Sequence, residues 1–101
     1  MKVVESRQFS RWLEALKDRP ATRKIQSWMY RMTRSDELLG DWKHVGSDLL
    51  EFRFFVGAGY RVHASIQDGG ILILLGGGSK STQARDIRKA ERLLRSWRSI
   101  R

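Results

Sequence analysis

Lys43, Arg53, Arg61 and Lys80 are four cations spread through the middle of this 101-residue chain, with His63 among them. Residues of these types can work on a phosphodiester. RNA cleavage that uses the ribose 2′-hydroxyl as internal nucleophile needs three things: a base for that hydroxyl, cations for the pentavalent phosphorane, and an acid for the departing 5′-oxygen. Arginine suits the middle task, because its planar fork can hold two phosphate oxygens and stays charged. Histidine suits either proton task near neutral pH. The plainer reading is a surface sheet face carrying solvated charges, the default place for such residues.

Strand periodicity is what gathers these residues. Leu50, Phe52, Phe54 and Val56 alternate with Glu51, Arg53 and Phe55, and Tyr60, Val62, Ala64 and Ile66 alternate with Arg61, His63 and Ser65. Such alternation predicts half-buried strands. A three-residue loop at 57–59 pairs Val56 with Tyr60 and Phe54 with Val62, which places Arg53 opposite His63 and Arg61 across from Phe55. Like-charge repulsion from Arg53 then favours the neutral, basic form of His63. Asp68-Gly69 is a type I′ turn signal. It pairs Ile66 with Ile71, Ala64 with Ile73 and Val62 with Leu75, and brings Gly76 beside Arg61. A loop from Gly76 to Ser81 then emerges at the Arg61 end with Lys80 in reach, while Leu72 and Leu74 fall on the Arg/His face.

Gly76-Gly77-Gly78-Ser79-Lys80-Ser81 leads into a helix, yet it is not a Walker A loop. Ser79 stands where glycine must precede the lysine, and Leu74 occupies the upstream glycine place. The motif fails twice, which argues against nucleoside-triphosphatase chemistry. The general anion affinity of a helix start remains.

The flanking elements follow the helical period. Residues 2–6 predict a short strand. Phe9, Trp12, Leu13 and Leu16 form one apolar stripe, and Ile25, Trp28, Met29 and Met32 form another, separated by the break at Asp18-Arg19-Pro20. The two read as an αα-hairpin packed on the sheet. A last helix from Thr82 to Trp97 buries Ile87, Ala90, Leu94 and Trp97. It carries Arg85, Arg88, Arg92 and Arg95 on another stripe, which could contact RNA or an acidic partner. Trp42, next to Lys43, is the tryptophan left for base stacking. Residues 99–101 are expected to fray.

Composition supports a polyanion or an acidic protein as partner. Twenty Lys/Arg against eleven Asp/Glu give a net charge of +9, which favours phosphate backbones with strong salt dependence. The chain has no cysteine and two histidines, so no metal site and no cofactor are expected. The apolar run Ile71–Leu75 is far short of a membrane span, and the N-terminus lacks a signal-peptide core. One cytoplasmic domain over residues 1–101, without membrane contact, is the expectation.

The phrases EFR…GAGYRV…LLGGGSKSTQARDI, with FxxWLxxLKD from Phe9 and GDWKHVG from Gly40, resemble the HigB-like branch of the RelE/ParE toxin superfamily, the phage-derived addiction module killer proteins. The resemblance implies an α+β fold: a short N-terminal strand, two helices, an antiparallel β-meander and a C-terminal helix. It also implies a toxin of a type II toxin–antitoxin pair, a metal-independent endonuclease that cuts messenger RNA on the ribosome and is silenced by a cognate antitoxin. By position it puts functional interest on Lys43, Arg53, Tyr60, Arg61, Lys80 and Gln83. With His63 added for its residue type and strand position, Arg53, Arg61, Lys80, His63 and Tyr60 are the catalytic candidates; Lys43 and Gln83, with Arg85, Arg88 and Arg92 of the last helix stripe, would bind RNA. Within the same fold, a ParE-like toxin acting on DNA gyrase is the alternative; outside it, a non-catalytic basic RNA-binding module. Three positions depart from the family pattern: Ala58 replaces a proline, Ser79 an aspartate, and His63-Ala64 a tyrosine followed by an aromatic residue.

Overall fold

Alternating sequence in the second half of the chain builds one five-stranded mixed sheet in the computed structural model, which describes residues 1–99. The elements are β1 (Lys2–Glu5), α1 (Arg7–Ala15), α2 (Arg19–Thr33), β2 (Asp41–Gly46), β3 (Leu49–Phe54), β4 (Tyr60–Gln67) and β5 (Ile71–Gly78). A 3₁₀ turn (Lys80–Thr82) then leads into α3 (Gln83–Ser99). Strand order is β1-β5-β4-β3-β2. β1 lies parallel to β5, and the other pairs are antiparallel. The fold is thus α+β, with α1 and α2 on one sheet face and α3 on the other. The fraying expected at Ile100 and Arg101 lies outside the described residues.

Local chemistry sets the helix boundaries. The Ser6 hydroxyl accepts the Phe9 N–H at the start of α1, and the Asp18 carboxylate accepts the Ala21 N–H at the start of α2, where Pro20 sits in the first turn. Caps of this kind contribute about 1 kcal/mol each. The two apolar stripes bury Phe9, Leu13, Ile25, Trp28 and Met32 against Phe52, Phe54, Val62, Leu72 and Leu74. Trp28 packs between the rings of Phe52 and Phe54, with centroids 4.7 and 5.3 Å away. Its indole N–H donates to the Leu39 carbonyl at 2.9 Å, so the polar end is satisfied. On the other face Ala90 and Leu94 meet Leu49, Ile73 and Leu75.

Four expectations need correction. The strand β2 is additional to the expected meander: as a sheet edge it leaves Trp42, Lys43 and His44 exposed and shows little apolar periodicity. The β3–β4 ladder is shifted by two residues: Phe54, not Val56, pairs with Tyr60, and Arg53 faces Arg61. Gly57 and Gly59 adopt positive φ (57° and 84°), the Gly59 N–H closes on the Val56 carbonyl, and Val56 leaves the ladder to join the α1/α2 core. Next, Ala64 pairs with Leu74 rather than Ile73, and a bulge at Leu75 follows. A one-residue slip exchanges faces, so Leu72 and Leu74 lie under α1 and α2, and Ile73 and Leu75 lie under α3. Finally, Gly76–Gly78 are strand residues, not a loop, and Gly78, not Gly76, is the partner of Arg61.

Close approach explains two of those glycines. A Cβ at Gly77 would stand 2.5 Å from ring carbons of Trp12, and one at Gly78 would collide with the Asp86 carboxylate. Gly77→Ala therefore overpacks the α1–β5 contact and should cost about 1–3 kcal/mol. At Gly70 a Cβ meets nothing within 4 Å, so Gly70→Ala should stay within about 0.5 kcal/mol of wild type. Urea unfolding midpoints of the two variants check this contrast.

Candidate functional site

Register across four strands assembles two rows of polar residues on the face that α3 covers at its start. Asp41, Arg53, Arg61 and Gly78 form the first row, and Lys43, Glu51, His63 and Gly76 the second. Arg53 and Arg61 are directly opposed, an arrangement that is destabilising unless compensated. Two carboxylates compensate it. Asp41 accepts from Arg53 Nη2 at 3.1 Å, and Glu51 accepts from Arg61 Nε at 3.3 Å.

Glu51 is the hub. It is fully buried. Its Oε2 receives Gln83 Nε2 at 2.7 Å and His63 Nε2 at 2.9 Å, while Oε1 receives Arg61. Burial pushes the carboxyl pKa upward, but the hydrogen bonds from Gln83 and His63 and the charges of His63 and Arg61 outweigh it. The net pKa falls below the ordinary 4.5. An ionised Glu51 can only accept, so His63 carries its proton on Nε2 toward it. His63 is also fully buried, and its Nδ1 has no hydrogen-bond partner among the described residues. The expected Arg53 neighbour of His63 is thus replaced by a carboxylate.

The remaining expected site residues separate into groups. Gln83 joins the hub from the first turn of α3. Lys43 is exposed on β2 in register with Glu51, and Lys80 is exposed in the 3₁₀ turn. Tyr60 does not belong to the cluster. It pairs with Phe54 on the α1/α2 face, and its hydroxyl donates to Asp18 Oδ2 at 2.8 Å. That hydrogen bond, with burial and the Asp18 charge, raises the phenol pKa, the wrong direction for a base. Arg85, Arg88 and Arg92 are exposed on α3, Arg85 with its Nε 3.9 Å from Asp86. Phe55, expected across from Arg61, is instead exposed beyond β3 with the Arg53 guanidinium 5.8 Å from its ring centroid. Trp42 lies in register with Phe52, on the face opposite Lys43.

Chemically, the arrangement offers guanidinium groups to an anion. The two Nη groups of Arg61 make no hydrogen bond among the described residues, since Glu51 takes only Nε. Arg53 Nε is unpaired but sealed from solvent, so an anion would meet that side chain at its Nη groups, of which Asp41 takes Nη2. Opposed strand residues have Cβ atoms about 4.5–5.5 Å apart, which suits two arginines on one phosphodiester. Among the described residues no group of three or more His, Asp or Glu could hold a metal ion, and no helix is long and apolar enough to cross a membrane. Sequence reasoning missed Glu51 and Asp41. The signal for Glu51 was present: it shares strand parity with Arg53 while Leu50 and Phe52 flank it.

Fold and site together define an α+β protein whose mixed sheet presents an arginine pair braced by carboxylates. Over 85 residues the chain is 41% identical to an uncharacterized protein of Haemophilus influenzae, covering 84% of each chain. It belongs to the same family as that protein. No family model and no solved structure matches it.

Removing the hub leaves charge stranded. Glu51→Ala should cost about 3 kcal/mol or more near neutral pH, because Arg61 loses its buried counter-charge and His63 and Gln83 lose their acceptor. Since the folded pKa of Glu51 is depressed, its contribution is fully present above 4.5 and is lost as pH falls through the folded value. Denaturant stability of wild type and Glu51→Gln should therefore converge as pH drops below 4.5.

Proposed function

We propose that this chain is a HigB-like toxin of the RelE/ParE superfamily, which cuts messenger RNA on the ribosome and is restrained by a cognate antitoxin. One observation carries the reading: Arg53 and Arg61 face each other on one row, each braced by a carboxylate, with guanidinium N–H groups left over for a phosphate. The family resemblance and the net charge of +9 point the same way.

In this reading the ribose 2′-oxygen attacks phosphorus and the bond to the 5′-oxygen breaks. Arg61 and Arg53 hold the non-bridging oxygens as negative charge gathers on them. Lys43 and Lys80, the exposed amines nearest in register and sequence, assist proton transfer. Gln83 couples the start of α3 to Glu51, and Arg85, Arg88 and Arg92 bind RNA backbone farther along that helix. His63 acts through Glu51 as a positioning residue, because a fully buried ring cannot touch substrate.

A second reading draws on a separate observation. His63 is sealed and Tyr60 is committed to Asp18 on the other face, so neither aromatic proton donor reaches the arginine row. A basic RNA-binding module that does not cut, or a defective toxin kept for its antitoxin complex, fits that fact.

Induction in cells, alone and with a neighbouring antitoxin gene, separates the readings. The toxin reading expects growth arrest, cleaved messages and rescue by the antitoxin; harmless expression of the folded chain supports the non-cutting reading. DNA breaks with intact messages would point to gyrase. On programmed ribosomes, Arg61→Ala should lower single-turnover cleavage by about a hundredfold or more with little change in affinity. Arg92→Ala should weaken binding and leave the single-turnover rate near normal.

A further inference from the structure

Most large apolar side chains of this chain are covered. Among the described residues Tyr30, Trp42, Phe55 and Ile66 are left exposed, and Phe55 is the most open at 72%. Exposed apolar residues scattered singly are ordinary. Phe55 differs from the other three in its neighbours. Tyr30 belongs to α2, and Trp42 and Ile66 pair with Phe52 and Leu72, which face α1 and α2. Phe55 stands two residues beyond Arg53, on the sheet face of the arginine row. The Arg53 guanidinium lies 5.8 Å from the centre of its ring.

The ring also has room beside it. Phe54–Tyr60 is the last pair of the β3–β4 ladder, so the next position across the hairpin from Phe55 is Gly59. A Cβ at Gly59 would meet nothing within 4 Å. Two arginines therefore occupy one row, and an aromatic ring and an open space the next row toward the hairpin tip. A nucleotide is built on the same scale, an anionic phosphate joined through one ribose to a flat base. A free phosphate would use the arginines alone, and an acidic peptide brings no flat group for the ring. A base paired within a duplex keeps its faces inside the stack.

We infer that Phe55 is a stacking platform for one unpaired base of a single-stranded RNA whose adjoining phosphate lies on Arg53 and Arg61. The inference rests on the RNA reading of the arginine row. It adds what that row cannot supply, selection for an unpaired base. Stacking tolerates any sequence because every base has a π-face, and purines cover more of the ring than pyrimidines. The cation–π contact with Arg53 keeps the ring next to the phosphate position.

The test uses the full chain and a pentaribonucleotide with 2-aminopurine at its centre, 2′-O-methylated throughout so that no 2′-hydroxyl can attack. Fluorescence of the 2-aminopurine should fall on binding as the base stacks. Phe55→Ala should weaken binding about tenfold and remove most of the quench. Phe55→Tyr should restore both, whereas Phe55→Leu, apolar without a π-face, should restore neither. A strand with an abasic centre, measured by competition, should bind wild type about tenfold more weakly and Phe55→Ala no more weakly still, the signature of one shared contact. The inference is overturned if Phe55→Ala binds as tightly as wild type, if it loses as much affinity for the abasic strand, or if leucine serves as well as tyrosine. It is equally overturned if wild type prefers the same sequence in a duplex or binds no strand. Its failure is separable from that of the toxin reading. Harmless expression in cells together with a Phe55-dependent quench removes the cutting and keeps the platform; message cleavage without that quench does the reverse.

Discussion

A carboxylate sealed beneath a helix is tolerated only when donors fill its lone pairs and positive charge stands close. Glu51 meets that demand with Arg61 and His63 from β4 and Gln83 from α3, and much else follows from the choice. The bond to Gln83 ties the first turn of α3 to β3, while Ala90 and Leu94 anchor the rest of that helix on Leu49, Ile73 and Leu75. The bond to Arg61 leaves two amino groups of one guanidinium uncommitted. Together with the Asp41–Arg53 pair, it lets two arginines stand opposite each other in a folded sheet.

Glycine in β5 serves the same assembly from the other side. Gly78 is the register partner of Arg61, and a side chain there would strike Asp86. Gly77 lets Trp12 lie against the strand. The run that resembles a phosphate loop in sequence is thus a strand thinned to admit α1 and α3.

What could be read from the sequence followed physical parity. The helical stripes and the break at Pro20 were legible because apolar period and capping are local signals. The faces of β3 and β4 came out correctly although the register was wrong, since a two-residue shift preserves alternation. The slip in β5 was by one residue and inverted Leu72 and Leu74, because three residues, Asp68 to Gly70, separate the paired Gln67 and Ile71 where a two-residue turn was expected; the bulge at Leu75 adds a second shift and leaves no local signature. Tyr60 shares parity with Val62, so its place on the α1/α2 face was readable, but the family pattern gave it a role on the other. Glu51 is not legible in the same way, because a lone acid among basic residues looks solvated until its cross-strand neighbours are known.

The account stands on Glu51 being ionised and held by its donors, and carboxyl ¹³C NMR titration of that side chain measures this directly. It predicts a midpoint below 4.5, moving upward in Gln83→Ala and in Arg61→Ala as hydrogen bond and charge are withdrawn. A midpoint at or above 4.5, or one indifferent to both substitutions, would mean that burial governs the carboxyl and that the arginine row is not braced as described.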